Sequence, residues 1–464
     1  MGGVIPQSLE RAAVDGQSGC RARGSDGYAS PVLTLVDLRG RAPEPALLAA
    51  HLARPVGDEE PLVAVREIIA AVRERGDEAI RELTAKFDGC QLDALRVDPG
   101  EPLAALDALD PSVREALEFA RDQIDAYHRT QLLADVEHMR EGVVIRERTV
   151  PVDRAGLYVP GGRAAYPSTV LMTAIPARVA GVPEVALCVP PDADGNVPQT
   201  TLAAAALAGV DEVYRVGGAQ AIAALAYGTD SIRPVDVIVG PGNVYVSLAK
   251  REVSGVVGIE SVAGPSELVV VADPSAHPDH VAVDLMAQAE HGPDGAAILV
   301  TWDESTAAAV DAALERLVAE APRRREIEAT MRSFGRAVVV DDAEAAMAVS
   351  NWVAPEHLQL MTSDPEALVS MVRNAGAVFA GHDAPAPVGD YVAGVNHVLP
   401  TGRTARFSSA LRVSHFQKHV HVVSLARGAL AEIGPRVATL ADAEGLDAHA
   451  AAIRMRLGVG GQPS

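Results

Sequence analysis

Cysteine is scarce. Cys20, Cys90 and Cys188 are the only three in 464 residues, far apart and without a CxxC spacing. No disulfide framework is available, and the chain suits a reducing cytoplasm. Long apolar runs are missing too: none reaches the ~20 uninterrupted residues that a membrane helix needs. The opening Met1–Pro6 has neither a basic stretch nor an apolar core, so no secretory signal is expected. Basic residues are outnumbered, 40 Lys and Arg against 62 Asp and Glu, for a net charge of −22. That balance argues against nucleic acid and against an anionic membrane as partners. There is no repeat of solenoid period and no GxGxxG dinucleotide fingerprint.

What is present is an ordinary soluble composition, 48% hydrophobic and 22% charged, in a chain too long for one core and expected to divide into two or three domains. Residues 1 to about 32, rich in Gly, Ser and Arg without apolar periodicity, read as a disordered leader. Val65, Ile68, Ile69, Val72, Ile80 and Leu83 recur at helical spacing, interrupted near Gly76-Asp77, which predicts two consecutive helices between Pro61 and Phe87. Asp110-Pro111 is an N-cap with proline at the first helical position, opening a helix to about Leu133. Val143–Val150 has strand character.

From Ala155 onward, valine-rich runs alternate with alanine-rich helical stretches: Val185–Val189, Glu212–Val216, Val235–Val239, Leu268–Ala272, Ala297–Thr301, Arg336–Val340, His357–Met361 and Ala377–Ala380. Near-continuous apolar strands between helices make parallel sheets covered on both faces, the doubly wound α/β class. Ligands in that class bind at the carboxyl ends of strands. The glycine turns Gly217-Gly218, Gly240-Pro241-Gly242 and Gly264-Pro265 are therefore the places to look. A final helix is expected over Asp442–Leu457, in a tail too short to bury much alone; it must dock on the body or on a second subunit.

Several constellations could carry chemistry. Glu356 and His357 follow Pro355 and precede an apolar run. Proline pushes Ala354 toward extended geometry, so the pair is expected to leave a loop and enter a strand on opposite faces, with separate proton-handling tasks. Alone, such a dipeptide is more often a solvated ion pair. Gln288 and His291 share a face at a helix end stopped by Gly292-Pro293; imidazole suits zinc, and an amide oxygen can add a ligand. Asp390 and His397 lie seven residues apart in a glycine-bearing loop, and Glu444 and His449 close the chain's last helix. Glycines at Gly156–Gly162, Gly217-Gly218 and Gly240–Asn243 allow close approach of a phosphate. His419 and His421 read as surface, and Cys188 as a core thiol rather than a nucleophile.

Taken in order, Gly156–Gly162, Gly217–Leu225 (GGAQAIAAL), Gly240–Asn243, Ala263–Glu267 (AGPSE), Gln288–Pro293 (QAEHGP), Ala354–Leu358 (APEHL), Gly389–Pro400 (GDYVAGVNHVLP) and Glu444–His449 resemble the histidinol dehydrogenases. The resemblance runs from about Val32 to Leu457. It implies two Rossmann-like doubly wound domains, one inserted in the other. Residues 51–157 plus 266–411 would form the catalytic, metal-bearing domain and 158–265 the inserted NAD-side domain. A leader (1–32) and an N-terminal dimer-contact segment (33–50) would precede them. Residues 412–464 would be exchanged across a homodimer, completing the partner's site.

The same resemblance implies a four-electron oxidation of L-histidinol, through histidinal, to L-histidine, the last steps of histidine biosynthesis, with two NAD reduced. One zinc ion per subunit would be held by Gln288, His291, Asp390 and His449. The substrate would meet those four ligands together with Ser266, His357, His397 and Glu444. Tyr158, Gln220 and Asn243 would line the NAD site. His357 is then the general base and Glu356 activates water. The pattern departs at Ala410, where glycine is expected, and His415, His419 and His421 give that neighbourhood its own character. A zinc-dependent hydrolase or aldolase on the same scaffold is the alternative, and would produce no NADH from histidinol. A periplasmic-type binding protein shares the sheets but has no use for an adjacent acid and base.

Overall fold

A computed structural model describes residues 32–54, 59–161, 164–262 and 264–458. The expected leader lies outside them save for Val32, as do Gly162 and Ala263 of the motifs.

All eight valine-rich runs are strands, within two residues of their expected bounds. With three others they make two parallel sheets. The larger runs in the order Thr34–Asp37, Gly335–Val339, Ala296–Thr301, Glu267–Ala272, His357–Met361, Ala377–Ala380. The smaller runs Glu212–Arg215, Glu184–Val189, Arg154–Tyr158, Val237–Val239, Gly258–Ile259. Their winding is alike. Apart from the edge strand Thr34–Asp37, a first strand sits inside, the next two build outward on one side, and the chain then crosses to the other. The reversal falls between Glu267–Ala272 and His357–Met361 in one sheet, and between Arg154–Tyr158 and Val237–Val239 in the other.

Side chains alternate across each strand, so both sheets bury two faces. In the smaller sheet Leu157, Val185 and Leu187 pack on Leu171 and Met172, while Ala186, Cys188 and Ile238 face Ile222 and Val246. In the larger, Leu268, Val270 and Leu299 meet Leu285 and Leu314, and Val269, Ile298 and Leu358 meet Leu48 and Met347. This is the doubly wound class that the alternation of runs predicts.

The division between the two needs correction. Helices Glu59–Arg75 and Asp77–Phe87 share a core with Gly218–Tyr227 and Val244–Val253. Glu101–Asp107 and Pro111–Arg129 pack on Gln199–Leu207 and Pro167–Ala180. Residues 59–129 therefore clothe the smaller sheet instead of joining 266–411. Arg154–Tyr158, which the expected bounds split by placing all but Tyr158 in the catalytic domain, is the smaller sheet's central strand. The cause is burial: the apolar faces of these helices fit the two uncovered faces of that sheet.

An antiparallel ribbon, Val136–Arg140, Val143–Pro151 and Gln417–Leu425, forms a third sheet. The expected single helix over Asp442–Leu457 is instead the end of Arg427–Ala443 and a separate Asp447–Leu457. The break is at Gly445, whose φ of 71° suits a residue without Cβ. The two helices pack on each other through Ala438, Ala441 and Ala450. Among the described residues no helix is long and apolar enough to cross a membrane.

Candidate active site

Helix Ala343–Val353 delivers the chain to the acid–base pair. Ala354 ends it in the left-handed region (φ 50°, ψ 59°), its N–H bonded to Ser350 O. The extended geometry expected before Pro355 is not adopted, because closing the helix end calls for a left-handed residue at this point. Glu356 follows, and His357 opens the strand.

The two side chains are not segregated on opposite faces as expected, since Glu356 precedes the strand and escapes its alternation. Glu356 Oε2 lies 3.7 Å from His357 Nδ1 and accepts a hydrogen bond from Glu267 N at 3.0 Å. His357 Nε2 is 3.3 Å from Asp390 Oδ1. Only 6% of Glu356 and 7% of His357 is exposed. Burial pushes Glu356 up to about 7, against the opposing pull of His357. Burial works against charge on His357 as well, but the carboxylates of Glu356 and Asp390 outweigh it and raise the imidazole to about 9.

All of this lies at the amino edge of the larger sheet. Glu267 and His357 open adjacent strands beside the point of reversal, and Gln288 and His291 lie before the strand Ala296–Thr301. Gly264-Pro265, expected at a carboxyl end, likewise precedes its strand.

Around the pair the structure gathers His291, Asp390 and His397, each within electrostatic reach of His357. Burial lowers His291 and keeps it neutral, the form that ligates metals. Burial tends to raise Asp390, but the hydrogen bond and charge of His357, with His397 and His291, hold it below the usual carboxylate range. Gln288 is buried with its side-chain nitrogen unpartnered, one helical turn from His291. An amide that can offer its oxygen, a neutral imidazole and an ionised carboxylate fit zinc in kind. They do not complete a cage: among the described residues no three His, Cys, Asp or Glu side chains converge on a metal position.

His397 is already committed at both nitrogens, Nδ1 to Asp390 O at 2.9 Å and Nε2 to Thr169 Oγ1 at 3.0 Å. It ties the short helix Ala386–Tyr391, which holds Asp390 where a loop was expected, to helix Pro167–Ala180. Ser266 stands one residue before Glu267, its carbonyl taking Ala296 N at 3.1 Å. Glu444 and His449 are not brought to the cluster. Both are exposed on the C-terminal helix pair.

The three residues of the dinucleotide reading do share one edge, at the carboxyl ends of the smaller sheet. Tyr158 ends its central strand, and its hydroxyl accepts from Gly218 N at 3.1 Å. Gln220 is buried in the first turn of Gly218–Tyr227. Asn243 caps Val244–Val253, its Oδ1 accepting from Tyr245 N at 3.0 Å and Val246 N at 3.2 Å. Tyr158 and Asn243 flank the point where the winding reverses, the place where this class binds ligands. Cys188 is fully buried, its thiol pushed up to about 12 by burial, and is a core residue.

Reasoning from pattern missed Glu267. Its carboxylate is 3% exposed and takes Arg54 Nη1 at 2.6 Å and Gly402 N at 3.1 Å, while its backbone holds Glu356. Only its place in AGPSE marked it, and neither Arg54 nor Thr169 carried any signal at all.

A family model described as histidinol dehydrogenase matches residues 54–457. A histidinol dehydrogenase of Synechococcus sp. is 51% identical over 396 residues, 85% of this chain and 91% of that relative. One from Geobacillus kaustophilus is 50% identical over 402 residues, 86% and 95% of the two chains. The crystal structure of histidinol dehydrogenase from Elizabethkingia anophelis superposes with a TM-score of 0.87 at 34% identity, covering 93% of this chain and 99% of that one.

Proposed function

The chain belongs to the histidinol dehydrogenase family and is an oxidoreductase of histidine biosynthesis, and from that premise we propose a division of labour between its two sheets. The carboxyl edge of the smaller sheet takes NAD, along Tyr158, Gln220 and Asn243. The amino edge of the larger takes L-histidinol and converts it through histidinal to L-histidine. Bound NAD supplies the hydride acceptor for each of the two oxidations. Zinc would be held by Gln288, His291, Asp390 and His449, and supplies an anchor for substrate nitrogens.

The protein's own residues handle the protons. In the first oxidation the carbinol carbon gives up a hydride while His357, in its neutral form, accepts the hydroxyl proton; the flanking carboxylates that raise it to about 9 make that form the minor one at neutral pH, so this step speeds up as pH rises toward 9. The aldehyde then needs water. Glu356, poised near neutrality by burial, takes a proton from that water as its oxygen bonds to the carbonyl carbon. The hydrate, formed as its anion, loses a second hydride while His357, its first proton released, takes the remaining hydroxyl proton and leaves the carboxylate. Asp390 fixes the orientation of His357 and stabilises its charged form, and Glu267 fixes Glu356 through its backbone N–H. Ser266 and Glu444 complete the substrate contacts, and His397 joins them by exchanging its Thr169 partner for the substrate.

One observation carries the reading: a buried Glu356–His357–Asp390 chain with the unpaired Gln288 amide and neutral His291 beside it. Partner completion has its own support. Val420, Val423 and Leu425 on the ribbon, and Leu440 and Met455 on the terminal helices, are exposed apolar groups in a single chain. They fit a second copy whose C-terminal segment brings Glu444 and His449. The buried free thiols Cys90 and Cys188 suit a cytoplasmic enzyme.

The test is stoichiometry. Two NADH per histidinol, lost on chelation and restored by zinc, is the expected result; one NADH, or indifference to exhaustive chelation, overturns it.

A further inference from the structure

We propose that Lys250 and Glu260 are positioning residues for the dinucleotide, holding the Gly240–Asn243 turn in the shape that the cofactor meets. The proposal rests on the placement of NAD at the smaller sheet's carboxyl edge.

Lys250 lies two turns into helix Val244–Val253, and long helical side chains point back toward the N-terminus. Its ammonium reaches the turn that precedes the helix, where Nζ donates to Gly240 O at 3.1 Å. Glu260 follows the edge strand Gly258–Ile259, and its Oε1 accepts from Gly240 N at 2.8 Å and from Lys250 Nζ at 2.6 Å. Both backbone groups of Gly240 are thus gripped by one ion pair. Each of the two side chains is only 2% exposed.

Such a pair is costly to bury, and replacing it by apolar residues is often neutral or stabilising. Here the pair meets a residue that has no room for a side chain. Gly240 has a φ of 126°, and a Cβ on it would come within 2.0 Å of Tyr158 O. The clasp therefore holds a residue pressed against the backbone of Tyr158, three positions before Asn243. Both of those residues lie in the cofactor reading. Nothing in the acid–base cluster touches Lys250 or Glu260, so the geometry ties the pair to one substrate of the reaction and not to the other.

The experiment compares the full-length holoenzyme with Lys250→Met, Glu260→Gln and the apolar double variant Lys250→Met/Glu260→Leu. Readouts are thermal midpoint, KM for NAD, KM for L-histidinol, zinc content, and NAD binding by calorimetry. Loss of a charge-assisted hydrogen bond to the turn should weaken NAD about tenfold or more. KM for histidinol and zinc content should not move. The double variant keeps the fold while removing the clasp, so it decides the matter if Lys250→Met alone fails to fold. If neither variant carrying Lys250→Met folds, Glu260→Gln decides, since it preserves shape and an acceptor while removing charge. A folded variant with unchanged NAD affinity, or with losses shared equally between NAD and histidinol, overturns the proposal. Asn243→Ala separates the two levels of the argument. If it too leaves NAD affinity untouched, the cofactor is not at this edge and the parent reading fails. If it weakens NAD while the clasp variants do not, only the clasp is wrong.

Discussion

The two parallel sheets reverse their winding alike and, on the function proposed, are used at opposite ends. In the smaller, Tyr158 and Asn243 lie at the carboxyl ends of strands beside the reversal of winding, where helices begin and glycine turns leave room for a phosphate. In the larger, Glu267, Glu356 and His357 gather at the amino ends, beside the equivalent reversal. The first edge presents glycine turns and helix starts, held by Tyr158, Asn243 and the Lys250–Glu260 pair; the second is made of buried titratable groups. The contrast follows from the tasks. A dinucleotide is gripped by N–H groups at helix starts. Proton transfer instead needs carboxylates and imidazoles desolvated against one another, which a strand start fed by a buried loop supplies.

The sharpest way to break this contrast is at the acid–base pair. His357→Asn should lower the rates with histidinol and with histidinal alike, by about 10²–10⁴-fold for a lost general base. Glu356→Gln should cost the histidinal reaction a similar factor and spare histidinol. Rapid-mix rates with each substrate decide it, and equal losses for both variants at both steps would refute the division of roles.

A second test asks whether the larger sheet's edge is complete within one chain. His291→Ala and His449→Ala should each abolish zinc retention and activity, because each removes a proposed ligand. Unfolding and refolding the two inactive proteins together should restore a measurable part of both, since a mixed dimer assembles one intact site. No recovery in a mixture that demonstrably forms mixed dimers would place His449 outside the site.

Much of this fold was legible from residues alone. Alternating valine-rich runs and alanine-rich stretches marked the doubly wound class, and strand bounds were off by two residues at most. What was illegible was which sheet each helix covers. The apolar face of Glu59–Arg75 announces a helix but not its partner, so residues 59–129 were assigned to the wrong sheet. The site was legible for a different reason. Glu356, His357, Gln288, His291, Asp390 and His397 stand in distinctive strings, whereas Arg54 and Thr169 act through positions that chain folding alone creates. The carboxyl-end rule points to the edge proposed for the dinucleotide and misled for Gly264-Pro265, because a rule about cofactor binding says nothing of where proton chemistry is built.

Backbone crowding offers a matched pair of smaller perturbations. A Cβ on Gly240 would lie 2.0 Å from Tyr158 O, and one on Gly376 would lie 2.5 Å from Glu356 O. Each alanine should destabilise by roughly 1–3 kcal/mol, the usual range for overpacking. Gly240→Ala should raise KM for NAD with kcat less affected, and Gly376→Ala should lower kcat on histidinal with KM for NAD intact. Exchange of those two signatures would mean the edges have been assigned the wrong way round.

The smallest effect expected is one of pH. Glu356 has its proton affinity raised to about 7, chiefly by burial. It serves as a base only when deprotonated, so the active form is present above that value and is lost as pH falls through it. Histidinal oxidation should therefore decline about tenfold per unit below pH 7, on a limb absent from Glu356→Gln. At the smaller sheet's edge Tyr158 is raised beyond the working range by burial. NAD affinity should accordingly stay flat over the same interval. A limb near the ordinary carboxylate value of about 4.3 would show that water reaches Glu356 in the working enzyme, and the contrast between a desolvated edge and a backbone edge would lose its basis.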